Sequence, residues 1–346
     1  MIGNKNTIEQ LDVALKSAQK DNRSIPHTLL TGAAGCGKTM TARLVSDWGD
    51  SNILEVAPET IKKSADLVPI IKLLDKRGYD DYGDKTGIVH PSVIFIDEIH
   101  RLPITGQEHL GILMEEKKLP VSEKAAKINP YDSMGTSRKG RLKRAPWFTL
   151  IGATTKEGML SKPFRDRFKL KFIFTPYSEH ESIEIVRYHA EKKKIKITDD
   201  AAVEIAIRGR GVPRILVTLL ERSIDIKNLR DNNILIKEHV FVAVILLGID
   251  STGLSRTDIK ILTVLYDSID PIGLDNLSII TNESPETIKD SIEPYLIQRG
   301  LIVRMARGRK LSENGEQYLL KYGYIKPKDN GEWFDVTPDF LEKRRV

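Results

Sequence analysis

The stretch HTLLTGAAGCGKT, residues 27–39, joins a short apolar run to a glycine-rich turn that ends in lysine and threonine. It matches the pattern G-x-x-x-x-G-K-[ST], in which Gly32, Gly35 and Gly37 let backbone N–H groups close around phosphate without obstruction by a Cβ atom. The next residues, TMTARLVSDW, are predicted to form a helix whose N-terminus favours bound anions. Because a strand and a helix flank the turn, the stretch predicts a nucleotide-binding α/β domain rather than an ordinary glycine turn.

The residues that end this loop have distinct predicted roles. Lys38 supplies a cation to the β- and γ-phosphates, and the Thr39 hydroxyl can ligate Mg²⁺. Met40 follows them and is predicted to belong to the same nucleotide site. Cys36 stands at a loop position that is open to many side chains, so we interpret it as tolerated rather than catalytic.

Two further apolar runs end in polar residues, PSVIFIDE at 91–98 and WFTLIGATT at 147–155. Apolar runs separated by helical stretches indicate buried parallel strands. At the end of the first run, Asp97 would hold Mg²⁺ and Glu98 would polarise the attacking water. Adjacent carboxylates at a strand end can also be merely solvated, and a phosphate loop on a neighbouring strand is what favours the catalytic interpretation.

The second run ends in two hydroxyls, and Thr154 or Thr155 could orient the hydrolytic water, although threonine pairs are also common at strand ends. His100 lies close to the two acids. We predict a packing or hydrogen-bonding role for it, because a zinc site would need further His or Cys ligands nearby.

The segment SKPFRDRF, residues 161–168, places Arg165 and Arg167 on either side of Asp166. Arginine is permanently charged and fits phosphate oxygens, as an arginine finger does. An arginine that reached its own γ-phosphate would allow hydrolysis by a monomer, whereas one that reached a neighbour's would require assembly. A surface pair neutralised by Asp166 is the third alternative, and the pattern alone leaves all three open.

The second half of the chain is predicted to contain only helices from 179 to about 248, with helix starts at Asp199 and Pro213. The segment DSTGLSR, residues 250–256, is predicted to be a linker. Three helices and two short β runs joined by a basic turn follow it, which is the order of a winged-helix module.

The predicted wing is the candidate nucleic-acid contact. Residues 294–311 contain no acidic residue. Basic side chains on a hairpin suit contact with the phosphate backbone, and a solvated basic turn is the alternative. The basic residues of this segment are Arg299, Arg304, Arg307, Arg309 and Lys310.

Composition sets the broad class. The chain has 346 residues, a net charge of +6 and 40% hydrophobic residues, which indicates a globular protein of two or three domains whose mild basicity permits nucleic-acid binding. One cysteine excludes an internal disulfide and fits a reducing compartment. No secretory signal is recognisable, and the longest apolar run, residues 241–249, is shorter than the roughly 20 residues that span a bilayer. We therefore expect a soluble cytoplasmic protein with no membrane partner.

Taken together, the motifs resemble the RuvB family of AAA+ Holliday-junction branch-migration motors, in order from about residue 2 to 320. The phosphate loop is common to all P-loop NTPases, whereas FIDEIHRL and EPYLIQRG are more specific to that family. The resemblance implies an α/β AAA+ P-loop core with a parallel sheet, then an all-α lid, a C-terminal winged helix and a tail. The corresponding predicted boundaries are 1–178, 179–250, 251–322 and 323–346. The motifs that carry the resemblance are HTLLTGAAGCGKT, VIFIDEIHRL, FTLIGATT, KPFRDRF, RGRGVPRI and EPYLIQRGLIVRMARGR.

The resemblance also implies roles for individual residues, with ATP and Mg²⁺ as cofactors. Asp97 and Glu98 match the Walker B pair, and Thr154 or Thr155 matches sensor 1. Arg167 matches the finger that acts on the neighbouring subunit's ATP, which makes Arg165 structural. The remaining matches are Arg214 for sensor 2, Tyr177 for the nucleotide pocket, and Ile2 and Gly3 for part of the adenine pocket.

Two segments differ from the family pattern. Residues 74–91 are longer than their counterpart, and residues 115–146 are enlarged, with nine Lys or Arg against four Asp or Glu. In the family a hairpin at the second position docks onto the junction-binding partner RuvA. For this chain the alternatives are a solvated loop, direct contact with DNA, and docking to a RuvA-like partner.

The sequence thus predicts an ATP-dependent DNA motor that assembles as a ring, expected to be a hexamer, and drives branch migration of Holliday junctions or other branched duplexes. Two alternatives use the same motifs. One is an ATP-switched loader or replication initiator that binds DNA without translocating, and the other is a remodeller whose wing binds a protein.

Overall fold

The computed structural model describes residues 2–21, 24–48, 53–75, 92–116 and 148–326. The chain separates into two compact units, Met1–Tyr177 and Ser178–Val346. Most of the segments 74–91 and 115–146 and of the tail 323–346 lies outside the described residues, and so do the predictions made for them. No helix in the described part of the chain is long and apolar enough to cross a membrane.

The first unit is built on a five-stranded sheet with the order β2-β3-β4-β1-β5, in which every neighbouring pair is parallel. Its strands are β1 Thr28–Gly32, β2 Ile53–Glu55, β3 Ser92–Ile96, β4 Phe148–Thr154 and β5 Leu170–Phe174. Its helices are α1 Lys5–Lys20, α2 Lys38–Trp48, α3 Leu67–Asp75, α4 Ile104–Glu116 and α5 Lys162–Asp166.

Strand β4 is buried at every residue, as expected for a central strand of a parallel sheet covered on both faces. The prediction of buried parallel strands is therefore confirmed, although β2, with three residues, gave no recognisable signal. One expectation is corrected: β4 lies between β1 and β3, so the strand that carries the acids does not pair directly with the strand that carries the phosphate loop. Strand order depends on how the crossovers pack, and periodicity along the chain does not contain that information.

Helix packing in this unit follows the apolar spacing. Helix α1 buries Leu11, Leu15 and Ala18, which recur along one face at intervals of three and four residues. The main core lies between β3, β4 and the helices α3, α4 and α5. Its largest fully buried side chains include Phe164, Ile61, Leu67, Ile94, Ile96, Ile99, Leu110, Leu113 and Leu150.

The second unit begins with four helices, and the predicted starts at Asp199 and Pro213 are confirmed. The prediction that residues 179 to about 248 contain only helices is corrected. Residues Lys196–Ile197 (β6) and Ile234–Leu235 (β7) form a small parallel pair. Strands of two residues are too short for a period-2 pattern to register. The helices are α6 Glu179–Lys192, α7 Asp199–Arg208, α8 Pro213–Leu229 and α9 Lys237–Leu247.

The predicted order of three helices followed by a hairpin is confirmed for the winged helix. Residues 250–256, predicted as a linker, instead form a compact turn in which Leu254 is fully buried and Ile249 bridges Ser255. The helices are α10 Arg256–Asp267, α11 Leu274–Thr281, and the short α12 Pro285–Thr287 that continues through a π turn, Ile288–Ile292, into α13 Glu293–Gln298. Strands β8 Ile302–Met305 and β9 Gly308–Leu311 pair antiparallel, and α14 Glu313–Lys321 follows.

Candidate nucleotide site and DNA-binding wing

Three parallel strands bring the predicted catalytic segments to one edge of the sheet. Strand β1 ends at the phosphate loop, β3 ends just before Asp97, and β4 ends just before Thr155. The register pairs Thr31 with Thr154 and Ile96 with Gly152. Since ligands bind outside the carboxyl ends of strands in open α/β sheets, this edge is the candidate nucleotide site.

The phosphate loop has the backbone that an anion cradle needs. Gly32, Gly35 and Gly37 all have positive φ, at 129°, 79° and 97°, a region that side chains with a Cβ rarely adopt. At Gly32 a Cβ would lie 2.1 Å from the Phe174 carbonyl oxygen on strand β5, so no other residue fits there. Lys38 Nζ donates to the carbonyl oxygens of Gly32 and Ala33 at 2.8 Å each, which holds the ammonium within the loop.

The surroundings of the loop fit a nucleotide phosphate. Thr39 lies on the first turn of α2, beside the helix N-terminus, and Met40 next to it is exposed. The Tyr177 hydroxyl donates to the Cys36 carbonyl oxygen at 3.3 Å, which ties the end of this unit to the loop. Burial raises the pKa of the Cys36 thiol, against an opposing effect of Lys38. Cys36 is fully buried and protonated at neutral pH, which agrees with its interpretation as an inert residue.

The two acids after β3 are held in a defined turn. Glu98 has a left-handed backbone with φ of 47°, and its N–H donates to Asp97 Oδ1 at 2.9 Å. Glu98 Oε2 accepts from the backbone N–H of Thr155 at 3.3 Å and from its hydroxyl at 3.2 Å. His100 Nδ1 lies 3.1 Å from the same oxygen. Glu98, in the turn after β3, is therefore connected to Thr155, just after the end of the adjacent strand β4.

The two threonines differ in what they contact. Thr154 is fully buried, and its hydroxyl lies 2.9 Å from His100 Nδ1 and accepts from the Lys156 N–H at 2.9 Å. Only Thr155 directs its hydroxyl to Glu98. His100 makes hydrogen bonds, as predicted. The sequence did not specify Glu98 as its partner, and the position of His100 two residues after that acid was the only available signal.

Arg167 lies along helix α4. Its Nε donates to Glu115 Oε2 at 3.1 Å, its Nη2 lies 3.0 Å from the same oxygen, and its Nη1 donates to the Pro163 carbonyl at 2.8 Å. A Cβ at Gly111 would lie 3.2 Å from the Arg167 side chain, so the glycine makes room for it. Arg165 lies 3.9 Å from Glu157, a local contact within the same chain. Sequence reasoning missed Glu115, since nothing along the chain links it to Arg167.

The donor set around the loop fits Mg²⁺ better than a metal held by protein alone. Among the described residues, no group of three or more His, Cys, Asp or Glu side chains could hold a metal ion. Magnesium at nucleotide sites uses one or two protein oxygens together with phosphate oxygens and water. The Thr39 hydroxyl and the Asp97 carboxylate at the same sheet edge supply oxygens of that kind.

Three residues of the predicted site are not joined to it by a described contact. Ile2 and Gly3 precede helix α1, and Gly3 has a φ of 68°. Arg214 is exposed on the first turn of α8 in the second unit. Their roles in adenine and phosphate binding stay predictions.

The wing has a different charge arrangement from the one the sequence predicted. Arg304, Arg307 and Lys310 are exposed on or between β8 and β9, as a backbone-binding surface requires. Arg309 is a correction. Its side chain is only 7% exposed and its Nε is ion-paired with Glu293, which is 3% exposed. A guanidinium that is buried and paired with a carboxylate is not available to contact DNA.

Comparison with known proteins covers nearly the whole chain. Three family models match in succession. They are "Holliday junction DNA helicase RuvB P-loop domain" at residues 1–173, "RuvB AAA lid domain" at 177–250 and "RuvB C-terminal winged helix domain" at 251–330.

Several curated relatives are similar along the same length, and each is described as a Holliday junction branch migration complex subunit, RuvB. The protein of Fusobacterium nucleatum is 34% identical over 322 residues, which covers 92% of this chain and 90% of the relative. That of Lactococcus lactis subsp. cremoris is 35% identical over 326 residues, covering 94% and 90%.

Among solved structures, the Thermotoga maritima RuvB Holliday junction branch migration motor superposes with a TM-score of 0.76 at 30% identity. The match covers 94% of this chain and 96% of that one. A variant of the same Thermotoga protein superposes with a TM-score of 0.77 at 30% identity.

Proposed function

The chain belongs to the RuvB family, and from that membership we propose that it is an ATP-dependent motor that drives branch migration of Holliday junctions. The observation that carries the proposal is that the chain matches the family along its length and also has the individual motifs that the activity requires. The family match extends over more than nine-tenths of the chain, and the chain has a phosphate loop, an acid pair that follows a strand, and exposed basic residues on the wing, all of which such a motor requires.

At the nucleotide site, the loop glycines and Lys38 bind the phosphates, and Thr39 and Asp97 are the residues that would hold Mg²⁺. The ion, when bound, neutralises charge on the β- and γ-phosphate oxygens. Glu98 orients and polarises the attacking water, and Thr155 positions Glu98 through its N–H and hydroxyl. Thr154 does not contact the water; its hydroxyl positions His100, which lies beside Glu98.

Hydrolysis is proposed to take place between subunits of a ring, for which a hexamer is the expected size. Within its own chain Arg167 lies on α4 and pairs with Glu115. The side chain is 28% exposed, so it remains accessible to an anion supplied by a neighbouring copy. In that arrangement Arg167 stabilises charge on the neighbour's γ-phosphate, as arginine fingers do.

The wing is proposed to contact the DNA backbone through Arg304, Arg307 and Lys310. Such contacts are sequence-independent and weaken with salt. A ring places several wings along one duplex, so individually weak contacts combine through effective concentration. A RuvA-like junction-binding protein is the proposed partner, and the cytoplasm is the proposed location.

The decisive experiment measures movement of a synthetic four-way junction together with ATP turnover. We expect ATP-dependent conversion of the junction to duplex products, and turnover that rises when junction DNA is added. An ATP-switched loader would bind and hydrolyse without moving the junction, and that result would contradict the motor. Hydrolysis that ignores DNA would count against both.

A further inference from the structure

A largely buried arginine of the lid, Arg210, contacts the winged helix. Arg210 lies between α7 and α8, and its Nε donates to the Gly253 carbonyl oxygen at 2.7 Å. Its Nη2 is ion-paired with Asp258 on the first turn of α10. Its Cζ lies 4.3 Å from the centre of the Tyr295 ring on α13. A single lid side chain thus contacts three separate parts of the winged helix.

The two charges of this pair are removed from water. The Arg210 side chain is 13% exposed and that of Asp258 is 1% exposed. Asp258 Oδ2 also accepts from the Ser255 N–H and hydroxyl at 2.6 Å each, which caps helix α10. Removing one member of such a pair leaves an uncompensated buried charge, so the contact strongly favours one arrangement of the two domains.

The backbone at the same place is unusual. Arg210 has a φ of 56° and Gly211 a φ of 66°, so two consecutive residues are left-handed. A non-glycine residue in this region is energetically unfavourable and persists where surrounding contacts require it. On the other side of the contact, Gly253 has a φ of 93°, and a Cβ there would lie 3.1 Å from the Arg208 carbonyl oxygen. The two turns therefore fit closely against each other.

A second polar cluster fixes the connecting turn independently. Asp250 Oδ1 accepts from the N–H groups of Thr252 and Leu254 at 2.8 Å each. Asp250 Oδ2 accepts from the hydroxyls of Tyr318 and Tyr324, both near or on the last helix of the winged module. Burial, and then the hydrogen bond to Asp250, raises the pKa of Tyr318, so its hydroxyl stays protonated at neutral pH.

From these contacts we propose that Arg210 is a positioning residue that makes the lid and the winged helix move as one body, so that movement powered by ATP reaches the DNA-binding wing. This inference rests on the proposed motor function. The lid turn that carries Arg210 leads directly into α8, whose first turn holds the predicted sensor Arg214. With a flexible connection at this point, movement of the lid would not be transmitted to the wing, and ATP would be hydrolysed without moving DNA.

The test compares Arg210→Ala with Arg222→Ala as a matched control. Arg222 lies on α8 in an exposed ion pair with Asp225. We expect Arg210→Ala to keep ATP turnover within about twofold of the control while junction migration falls about tenfold or more. Arg210→Lys keeps the charge but loses the forked contact and the flat face, so we expect an intermediate migration rate. A migration rate equal to the control, or turnover and migration reduced in equal proportion, would overturn the proposal.

A second measurement does not depend on motor activity. Spin labels attached to cysteines introduced at the exposed positions Glu191 in the lid and Lys289 in the winged helix report the distance between the two domains. The native Cys36 stays in place, because it is fully buried. We expect a narrow distance distribution in the otherwise unchanged chain and a broad one with Arg210→Ala; a distribution that stays narrow refutes the rigid connection. If Arg210→Ala broadens the distribution but the chain with Arg210 intact moves no junctions, the rigid connection is upheld and the motor function is refuted. If Arg210→Ala does not fold, the comparison is made with Arg210→Lys.

Discussion

Glu98 has three donors or potential donors around one carboxylate oxygen. The Thr155 N–H and hydroxyl and His100 Nδ1 all lie within 3.3 Å of Oε2. A carboxylate only accepts hydrogen bonds, so Nδ1 must carry the proton when it bonds to Glu98. Without that proton, Nδ1 can instead accept a hydrogen bond from the Thr154 hydroxyl. The tautomer of His100 thus determines whether it donates a hydrogen bond to Glu98.

His100→Ala should lower kcat about tenfold and leave the KM for ATP nearly unchanged, because the residue orients the acid and does not contact the phosphate loop. His100→Asn should restore part of the loss, since its side-chain amide can still donate toward Glu98. Steady-state ATP turnover at saturating protein and DNA measures both. A rise in KM without a fall in kcat would contradict a positioning role.

Arg167→Ala should leave ATP binding intact and lower turnover about 10³-fold, the scale of an arginine finger. Mixing it with Asp97→Asn protein should restore partial activity, because some interfaces of a mixed ring combine an intact acid from one copy with an intact arginine from another. The matched control is Arg165→Ala, whose described partner is Glu157 in its own chain. Mixtures no more active than the separate variants would mean that Arg167 acts within its own chain.

At the scale of elements, the wing and the third helix of the winged module form one unit. A π turn at Ile288–Ile292 precedes Pro294, which has no N–H to continue the helical ladder. Glu293, the first residue of α13, is ion-paired with Arg309 on strand β9, close to the turn of the hairpin. This buried pair fixes the wing against α13, and the exposed cations on the same hairpin are the residues proposed to contact DNA.

Replacing Arg304, Arg307 and Lys310 by Ala should weaken junction binding and reduce the salt dependence by about 0.9 in log–log slope per lost phosphate contact. The charge-matched control replaces three exposed lid residues, Lys192, Lys194 and Lys196. Binding titrations at several salt concentrations measure the slope. Equal losses in the two triple variants would show that total charge, and not the wing, binds DNA.

Glu293→Gln should destabilise the winged helix by about 3–5 kcal/mol, because it leaves the Arg309 guanidinium buried and uncompensated. Replacing the pair by Leu and Met should recover much of that loss, since apolar side chains of similar volume fill the site without a desolvation cost. Thermal unfolding of the full chain gives the order of stabilities. A double variant that is no more stable than Glu293→Gln would contradict this prediction.

At the scale of the whole molecule, the proposed sharing of the hydrolysis site between copies would make activity depend on assembly. Turnover per subunit should therefore rise steeply with protein concentration and reach a plateau where rings form. Four-way junction DNA should shift the rise to lower concentrations, because several wings on one duplex favour assembly. Constant turnover per subunit down to concentrations at which the chain sediments as a monomer would exclude the shared site.

The sequence alone determined the local chemistry of this protein. The spacing of Gly32, Gly35, Gly37 and Lys38 requires the cradle whatever surrounds it, because only glycine adopts those dihedral angles freely. Uniformly apolar runs likewise predicted β1, β3 and β4, and the order of helices and hairpin predicted the winged helix.

Only the tertiary structure decided which side chains meet. It placed β4 between β1 and β3, turned Thr155 rather than Thr154 toward Glu98, and buried Arg309 against Glu293. It also folded the expected linker around Arg210 and Asp250. Each of these depends on residues far apart in the chain, and the energy of a buried charge or hydrogen bond depends on partners and solvent exposure that local sequence does not specify.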